Sequence, residues 1–509
     1  MARFDFVQPI TTSPTLALLG ACAVFTALYA IVHTLFLRRF PSNAPPVVPD
    51  NYPIIGATSF WTRRWDWYQQ CMRQSKTGNF SFHAGPNKVV GLSGQSARQF
   101  FFESKDLSFA EGYAVLFGQA PSVQAHDDGH GKREDPNNFF SRRLVHLLKN
   151  EQFRRKLPTL VSDVQDAVAS IQNDPSGMIN PFESIYRIVF RLTIRMVGAD
   201  EMADDAKVLE ETLKLVEAID GSATATAVMF PTLPSPAVVK RTYAGGQLYM
   251  MLEKIIKKRV ASDEKHHDAL QYMLDQGDRT FKILEFIIGA LFAGLLNSGI
   301  NAAWVMCYLA SSPEWLEKTR EEVRNTAAKY ARDPNAPLRH QLDHVPLEAW
   351  ESEFPIIDLC LRDSIRLNLN GAALRMNTSG RPLPIPDTNE VIPPGAVVTY
   401  ATGDILLNPD IYTNPHEWDP SRYMPDRAED KKAPHAFIGW GSGRHPCLGM
   451  RFAKLEQNLI TAYLIASFDF SLVDKNGVGL KEAPRVNMNA HSAHKPKNPP
   501  YLKMTRREK

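Results

Sequence analysis

The run Trp440-Gly-Ser-Gly-Arg-His-Pro-Cys447-Leu-Gly449 leaves its backbone few options. Gly439, Gly441 and Gly443 permit a tight turn, because glycine tolerates positive φ and puts no side chain in the way of a close neighbour. The cysteine that follows opens directly into the helix-like stretch Met450-Arg-Phe-Ala-Lys-Leu-Glu456. A sulfur at a helix N-terminus meets free N–H groups and the positive end of the dipole, which favour its ionised, metal-ligating form. Most lone cysteines are simply buried structural residues, but few structural cysteines sit behind so many fixed residue types.

These residues resemble the cytochrome P450 superfamily, whose cysteine loop reads Phe-x-x-Gly-x-Arg-x-Cys-x-Gly. Gly443, Cys447 and Gly449 match, and Trp440 stands where phenylalanine is usual. His445 takes the arginine position with Arg444 beside it, similar to the Gly-Arg-His of sterol 14α-demethylases. The resemblance implies that Cys447 ligates the iron of haem b. Trp440 would then sit against the thiolate, and Arg444 and His445 would reach the haem propionates. The family's Glu-x-x-Arg reads here Asp363-Ser-Ile-Arg366, one methylene shorter. Its partner segment, Asp419-Pro-Ser-Arg422-Tyr423, follows about sixty residues later, so a carboxylate shared between two guanidinium forks is implied behind the loop. Arg375 falls where the family often places another propionate contact.

The distal signature departs from the family. Phe292-Ala293-Gly294-Leu295-Leu296-Asn297-Ser298 lies in a long apolar pattern, from about Phe281 to Ala310, that reads as the oxygen-binding helix. The family pattern ends in an acid followed by threonine, and Leu296 and Asn297 replace them. An amide can still donate to dioxygen and accept from water, so Asn297, Ser298, Asn301 or the substrate must carry proton delivery. Asparagine here also resembles bile-acid-type sterol hydroxylases and prostacyclin synthase, the latter an isomerase that needs no electrons. Two alternatives therefore stay open: an electron-independent isomerase or dehydratase, and a non-catalytic haem-binding sensor.

The N-terminal segment has its own signature. Leu16 to Leu37 is apolar but for Thr26, His33 and Thr34, and its twenty-two residues rise roughly 33 Å as a helix. Arg38 and Arg39 follow and favour a cytoplasmic C-terminal side. The organisation expected is a tail (1–15), a transmembrane anchor (16–37), a proline-rich hinge (38–49) with Pro41, Pro45, Pro46 and Pro49, and one haem-thiolate catalytic domain (50–509). Such an arrangement resembles single-pass enzymes of the endoplasmic reticulum whose body faces the cytosol. A formal charge of +3, from 58 basic and 55 acidic residues, carries no nucleic-acid signature. Five scattered cysteines do not make a disulfide framework and suit a reducing compartment.

Periodicity predicts helices over Leu157–Ile171, Leu209–Ile219, Tyr249–Val260 and Pro313–Tyr330, the last started by Ser311-Ser312 and a first-turn proline, and another over His266–Leu274. Short strands are expected at Val89–Leu92 and Val397–Tyr400. The fold class expected is mainly α with small β-sheets, the P450 fold preceded by a transmembrane helix. His126, Asp127, Asp128 and His130 read as a solvated loop, and the adjacent pair His266-His267 cannot converge on one ion from a helix. Arg142, Arg143, Lys149, Arg154, Arg155, Lys156, Arg451 and Lys454 suggest a basic face that docks an acidic electron donor. The family's Trp-x-x-x-Arg contact falls on Ser141 and Val145, so that contact is missing or is replaced by His146 or Arg142. Tyr113 and Phe117, with Phe292, Ala293 and Leu296, suggest an apolar substrate pocket. The reading is a membrane-anchored monooxygenase, fungal-like and of secondary metabolism. It would oxidise a lipophilic terpenoid, sterol or polyketide with O2 and electrons from NADPH through NADPH-cytochrome P450 reductase. Asn297 and Ser298 are its expected catalytic residues.

Overall fold

The computed structural model describes residues 14–32, 39–116, 136–230, 235–262, 265–490 and 493–507. The apolar N-terminal stretch forms a helix over Pro14–Val32 (α1), about 28 Å long by its residue count. Its residues 18–28 are exposed, and no other element supplies them with a buried face.

Beyond the hinge, strands Phe80–Ala84 (β1) and Asn87–Leu92 (β2) form a hairpin. Helices Gln95–Glu103 (α2), Phe109–Leu116 (α3), Pro136–Leu147 (α4) and Pro181–Val197 (α5) follow. Proline at the first position of α5, with Asn180 accepting from the Phe182 N–H at 3.1 Å, accounts for where that helix starts. Thr280–Ser311 (α6) is the central helix, and Pro355–Asn368 (α7) also opens on proline. Strands Ala372–Asn377 (β3) and Val397–Ala401 (β4) complete the main sheet, in which β2 pairs in parallel with β4 and β4 antiparallel with β3. A two-residue hairpin, Gly441–Ser442 (β5) with His445–Pro446 (β6), leads into helix Met450–Ser467 (α8).

Length and apolar composition would let α6 pass for a membrane span, but half of that stretch is buried and it is the spine of the main core. Gly299 lets it come close to α5: a Cβ there would lie 2.5 Å from the Tyr186 ring. The helices and strands expected from periodicity are all present, mostly longer than expected: Asn150–Gln172, Ala206–Asp220, Pro236–Ser262, and Pro313–Tyr330 as read. Two local expectations fail. Ser312 makes no side-chain cap bond, so the proline alone marks that start. The helix expected at His266 begins at Ala269, because Asp268 caps it by accepting from the Gln271 N–H at 2.9 Å; the two histidines precede it.

Candidate functional site

The cysteine hairpin is held from outside the cavity it serves. Gly441 and Gly443 take φ of +70° and +60°, and a Cβ at 443 would lie 2.3 Å from the Phe102 carbonyl oxygen of α2. That same carbonyl accepts from the Arg444 N–H at 3.1 Å, while the Cys447 N–H donates to Trp440 O at 2.7 Å and closes the turn. His435 braces the hairpin between Ser442 Oγ (2.6 Å) and Glu103 (3.1 Å). Cys447 is accessible to a water-sized probe, yet burial pushes its thiol up and outweighs the Gly449 and Met450 N–H groups that donate to the sulfur. Accessible and desolvated together describe the wall of an internal cavity. The N–H groups favour the ionised sulfur, as its place at a helix N-terminus implies, while burial opposes it; a bound cation would favour the thiolate further.

Beside the hairpin lies a positive cluster. Arg375, on β3, is 3% exposed, donates to Leu374 O at 2.8 Å, stacks over Phe109 and Phe101, and has a buried Nε with no acceptor. Burial pushes its guanidinium down to about 10. His445 stacks on Phe109 at 5.4 Å and is lowered by burial and then by Arg375 and Arg444. A desolvated arginine with an orphaned donor beside two more basic side chains fits the carboxylates of a porphyrin. The Trp440 indole N–H is likewise buried without an acceptor.

Behind the hairpin, Asp363 and Arg366 are both fully buried and joined twice, at 2.6 and 3.3 Å. Arg366 also donates to the carbonyls of Leu406, Pro415 and Glu417. Asp363 lies within ion-pair distance of both arginines, but unequally. Arg422 lies 3.7 Å from it and sits closer to Glu429, at 3.1 Å, while donating to three carbonyls. Asp363 fills its remaining capacity with the Asp419 N–H (2.6 Å) and the Tyr423 hydroxyl (3.0 Å). Glu429 is thus the nearer of the two carboxylates that Arg422 meets. Burial alone would raise Glu429, but Arg427, Thr413 and Arg422 hold it below the usual carboxylate range.

On the distal side, Ala293 and Asn297 are exposed in the middle of an otherwise largely buried α6, with Phe292 and Leu296 half-buried next to them. Mid-helix exposure in a core helix marks a cavity lining. Asn301 does not share it: it is 7% exposed, donates to Asn297 O at 2.9 Å and accepts from Ser364 of α7 at 3.2 Å, so it is spent on packing. Ser298 is half-buried on the same stretch, and Glu456 of α8 is a buried acid that sequence reasoning passed over.

The chain can now be set beside known proteins. The sequence model described as cytochrome P450 matches residues 45–498. The chain belongs to the cytochrome P450 family. A cytochrome P450 monooxygenase of Aspergillus aculeatus is 37% identical over 467 residues, covering 91% of this chain and 93% of that one. Another, of Aspergillus novofumigatus, is 35% identical over 466 residues, covering 90% of each. A cyanobacterial P450 solved with bound retinoic acid shares the fold, with a TM-score of 0.69 at 20% identity over 91% of this chain and 99% of that one. The protein is thus a haem-dependent oxidoreductase, and the P450 family implies a cysteine-ligated haem iron.

Other expectations meet different fates. Tyr113 is half-buried and stacks on Phe109 at 4.5 Å; burial raises its phenol. Gly112 lays α3 directly on β3, since a Cβ there would lie 2.4 to 2.6 Å from the Arg375 backbone. Phe117, His126, Asp127, Asp128 and His130 lie outside the described residues. His146 does not replace a propionate contact, because its ring is stacked on Tyr272 at 3.8 Å; Val145 is 51% exposed. The expected basic face is largely neutralised by acids from elsewhere in the chain: Arg143 by Asp278, Arg154 by Glu348, Lys156 by Asp200, Arg451 by Glu351 and Lys454 by Asp358. Glu201, His266 and Asp268 converge like metal ligands, but Arg259 already pairs with both carboxylates. A cleft of about 450 Å³ beside the hinge, lined by Phe40, Pro46, Asn51 and His83 among others, includes none of these site residues.

Proposed function

We propose that Cys447 is the axial thiolate of a haem b seated between α6 and α8, in a monooxygenase that oxidises a lipophilic small molecule of the terpenoid, sterol or polyketide kind. The carrying observation is the Cys447 sulfur, desolvated in a cavity wall with two N–H groups donating to it, beside the unpaired Arg375 donor. The haem would supply the activation of dioxygen by two electrons, drawn from NADPH through a cytochrome P450 reductase. Arg375, Arg444 and His445 would hold its propionates. Asn297 would orient dioxygen and water, and Tyr113, Phe292, Ala293 and Leu296 would give the substrate an apolar wall that excludes bulk water. The apolar helix Pro14–Val32 supports a single-pass anchor in the endoplasmic reticulum membrane, with the body in the cytosol. Fungal relatives support a role in secondary metabolism.

The test is a reduced carbon monoxide difference spectrum of the purified protein and of Cys447→Ser. A thiolate-type Soret band is expected in the first and its loss in the second; a band surviving the substitution overturns the assignment. Leu296 and Asn297, standing where the family has an acid and threonine, favour a second reading, an electron-independent isomerase or dehydratase. Product formed without reductase and NADPH would select it.

A further inference from the structure

Between α6 and α7 the largely apolar core carries a short ladder of polar side chains. Asn301, Ser364 and Asn368 are all buried. Asn368 Nδ2 donates to Ser364 Oγ at 3.2 Å and to Ser364 O at 2.7 Å. Ser364 donates its hydroxyl to Asn301 Oδ1 at 3.2 Å, with a longer contact to Asn301 O at 3.5 Å, and Asn301 Nδ2 donates to Asn297 O at 2.9 Å. Every donor in the ladder therefore points one way, toward the carbonyl of Asn297. A hydroxyl has a single proton, so the Ser364 oxygen accepts from Asn368 while its proton goes to Asn301, and this fixes which end of the Asn301 amide faces Asn297. In the chain Ser364 stands between Asp363 and Arg366, the buried pair of the framework behind the cysteine. Apolar side chains of similar size would join α6 to α7 with nothing polar to satisfy. What the ladder adds is direction.

We propose that Asn301, Ser364 and Asn368 are positioning residues that hold the α6 turn at Asn297 in register with α7, so that the exposed Asn297 amide keeps one direction in the cavity. The need for them follows from the residue type at 297. The terminal torsion of an asparagine is broad and roughly two-fold, so its amide is aimed less sharply by its own rotamer than a β-branched alcohol is. Fixing the backbone from which that side chain springs narrows the range. Asn301 does not share the cavity exposure of Asn297; it acts through the Asn297 carbonyl, and Ser364 and Asn368 act through Asn301. The ladder also ties the distal residue to the helix that carries Asp363 and Arg366. No bond is made or broken in this role and no proton moves. The inference rests on the reading above of Cys447 as haem ligand and Asn297 as the residue that orients dioxygen and water.

The experiment uses the haem-loaded, full-length protein, reduced and exposed to carbon monoxide, and reads the infrared C–O stretching band, which responds to the polar group facing the ligand rather than to the stability of the fold. Asn297→Ala should shift the band. Ser364→Ala and Asn301→Leu should shift it in the same direction although neither side chain meets the ligand, and adding either change to N297A should move it no further. With reductase and NADPH, S364A and N301L should each release several-fold more hydrogen peroxide per NADPH consumed. A band moved by N297A but left in place by S364A overturns the ladder, as does a shift in the double variants that is the sum of the single ones. Ser364→Ala removes one oxygen, so it decides the matter if N301L fails to fold. A wild type without the thiolate Soret band sinks the haem-thiolate reading itself. A normal Soret band with a C–O stretch indifferent to N297A leaves Cys447 as ligand, and sinks the orienting role of Asn297 and the ladder with it.

Discussion

The two sides of the cavity treat their departures from the family differently. Behind the cysteine, aspartate stands for glutamate at position 363, and the change is met locally: Arg422 lies between Asp363 and the nearer Glu429, while Tyr423 and the Asp419 backbone fill the remaining capacity of Asp363. On α6, Leu296 and Asn297 replace an acid and an alcohol; the hydroxyl of Ser298 follows one position on, but that stretch carries no acid. The proximal network is thus a framework, in which every buried charge must be answered for the chain to fold. The distal stretch exposes Ala293 and Asn297, where an altered residue costs little stability.

Asp363→Ala should break the framework most severely. It leaves Arg366 buried and stripped of its only carboxylate, with an expected cost of about 3–5 kcal/mol in urea unfolding; a loss below ~1 kcal/mol would mean that the carbonyls around Arg366 suffice. Glu429→Gln should cost less, about 1.5–3 kcal/mol, because Arg422 keeps its three carbonyl acceptors. An unchanged midpoint would return Arg422 to Asp363. Arg375→Leu should separate framework from function. Removing a buried cation that no carboxylate answers should leave the cofactor-free chain as stable as before or stabilise it by about 1 kcal/mol, while haem transfer to apomyoglobin becomes faster. Slower transfer would contradict the propionate role.

The smallest effect is a slope in pH. The folded-state pKa of Glu456 is raised to about 8, so the folded chain binds more protons than the unfolded one between the ordinary carboxylate range and that value. Its contribution to stability is complete at about pH 4 and is lost as pH rises through about 8. Wild type should therefore lose stability relative to E456Q across that window, measured as urea midpoints at several pH values. Parallel curves would place Glu456 in water.

Local grammar made the framework legible. Glycines before Cys447, prolines at helix starts and the spacing of Asp363, Arg366 and Arg422 each encode their own geometry. Glu429 was not legible, because its pairing with Arg422 depends on how the intervening loop closes. Glu456, between Lys454 and Gln457, has the look of a solvated helix position; only the packing of α8 against α6 turns it inward. The pairing of the expected basic face was not legible for a similar reason. Its neutralising acids, Glu348, Glu351 and Asp358, lie on other helices, and only tertiary folding brings them opposite Arg154, Arg451 and Lys454.

Gly112, pressed onto the Arg375 backbone, sets a boundary for anyone who would retrain this enzyme on new compounds. Any larger residue there would push α3 off the sheet and drag Arg375 with it, so variant libraries should spare that position.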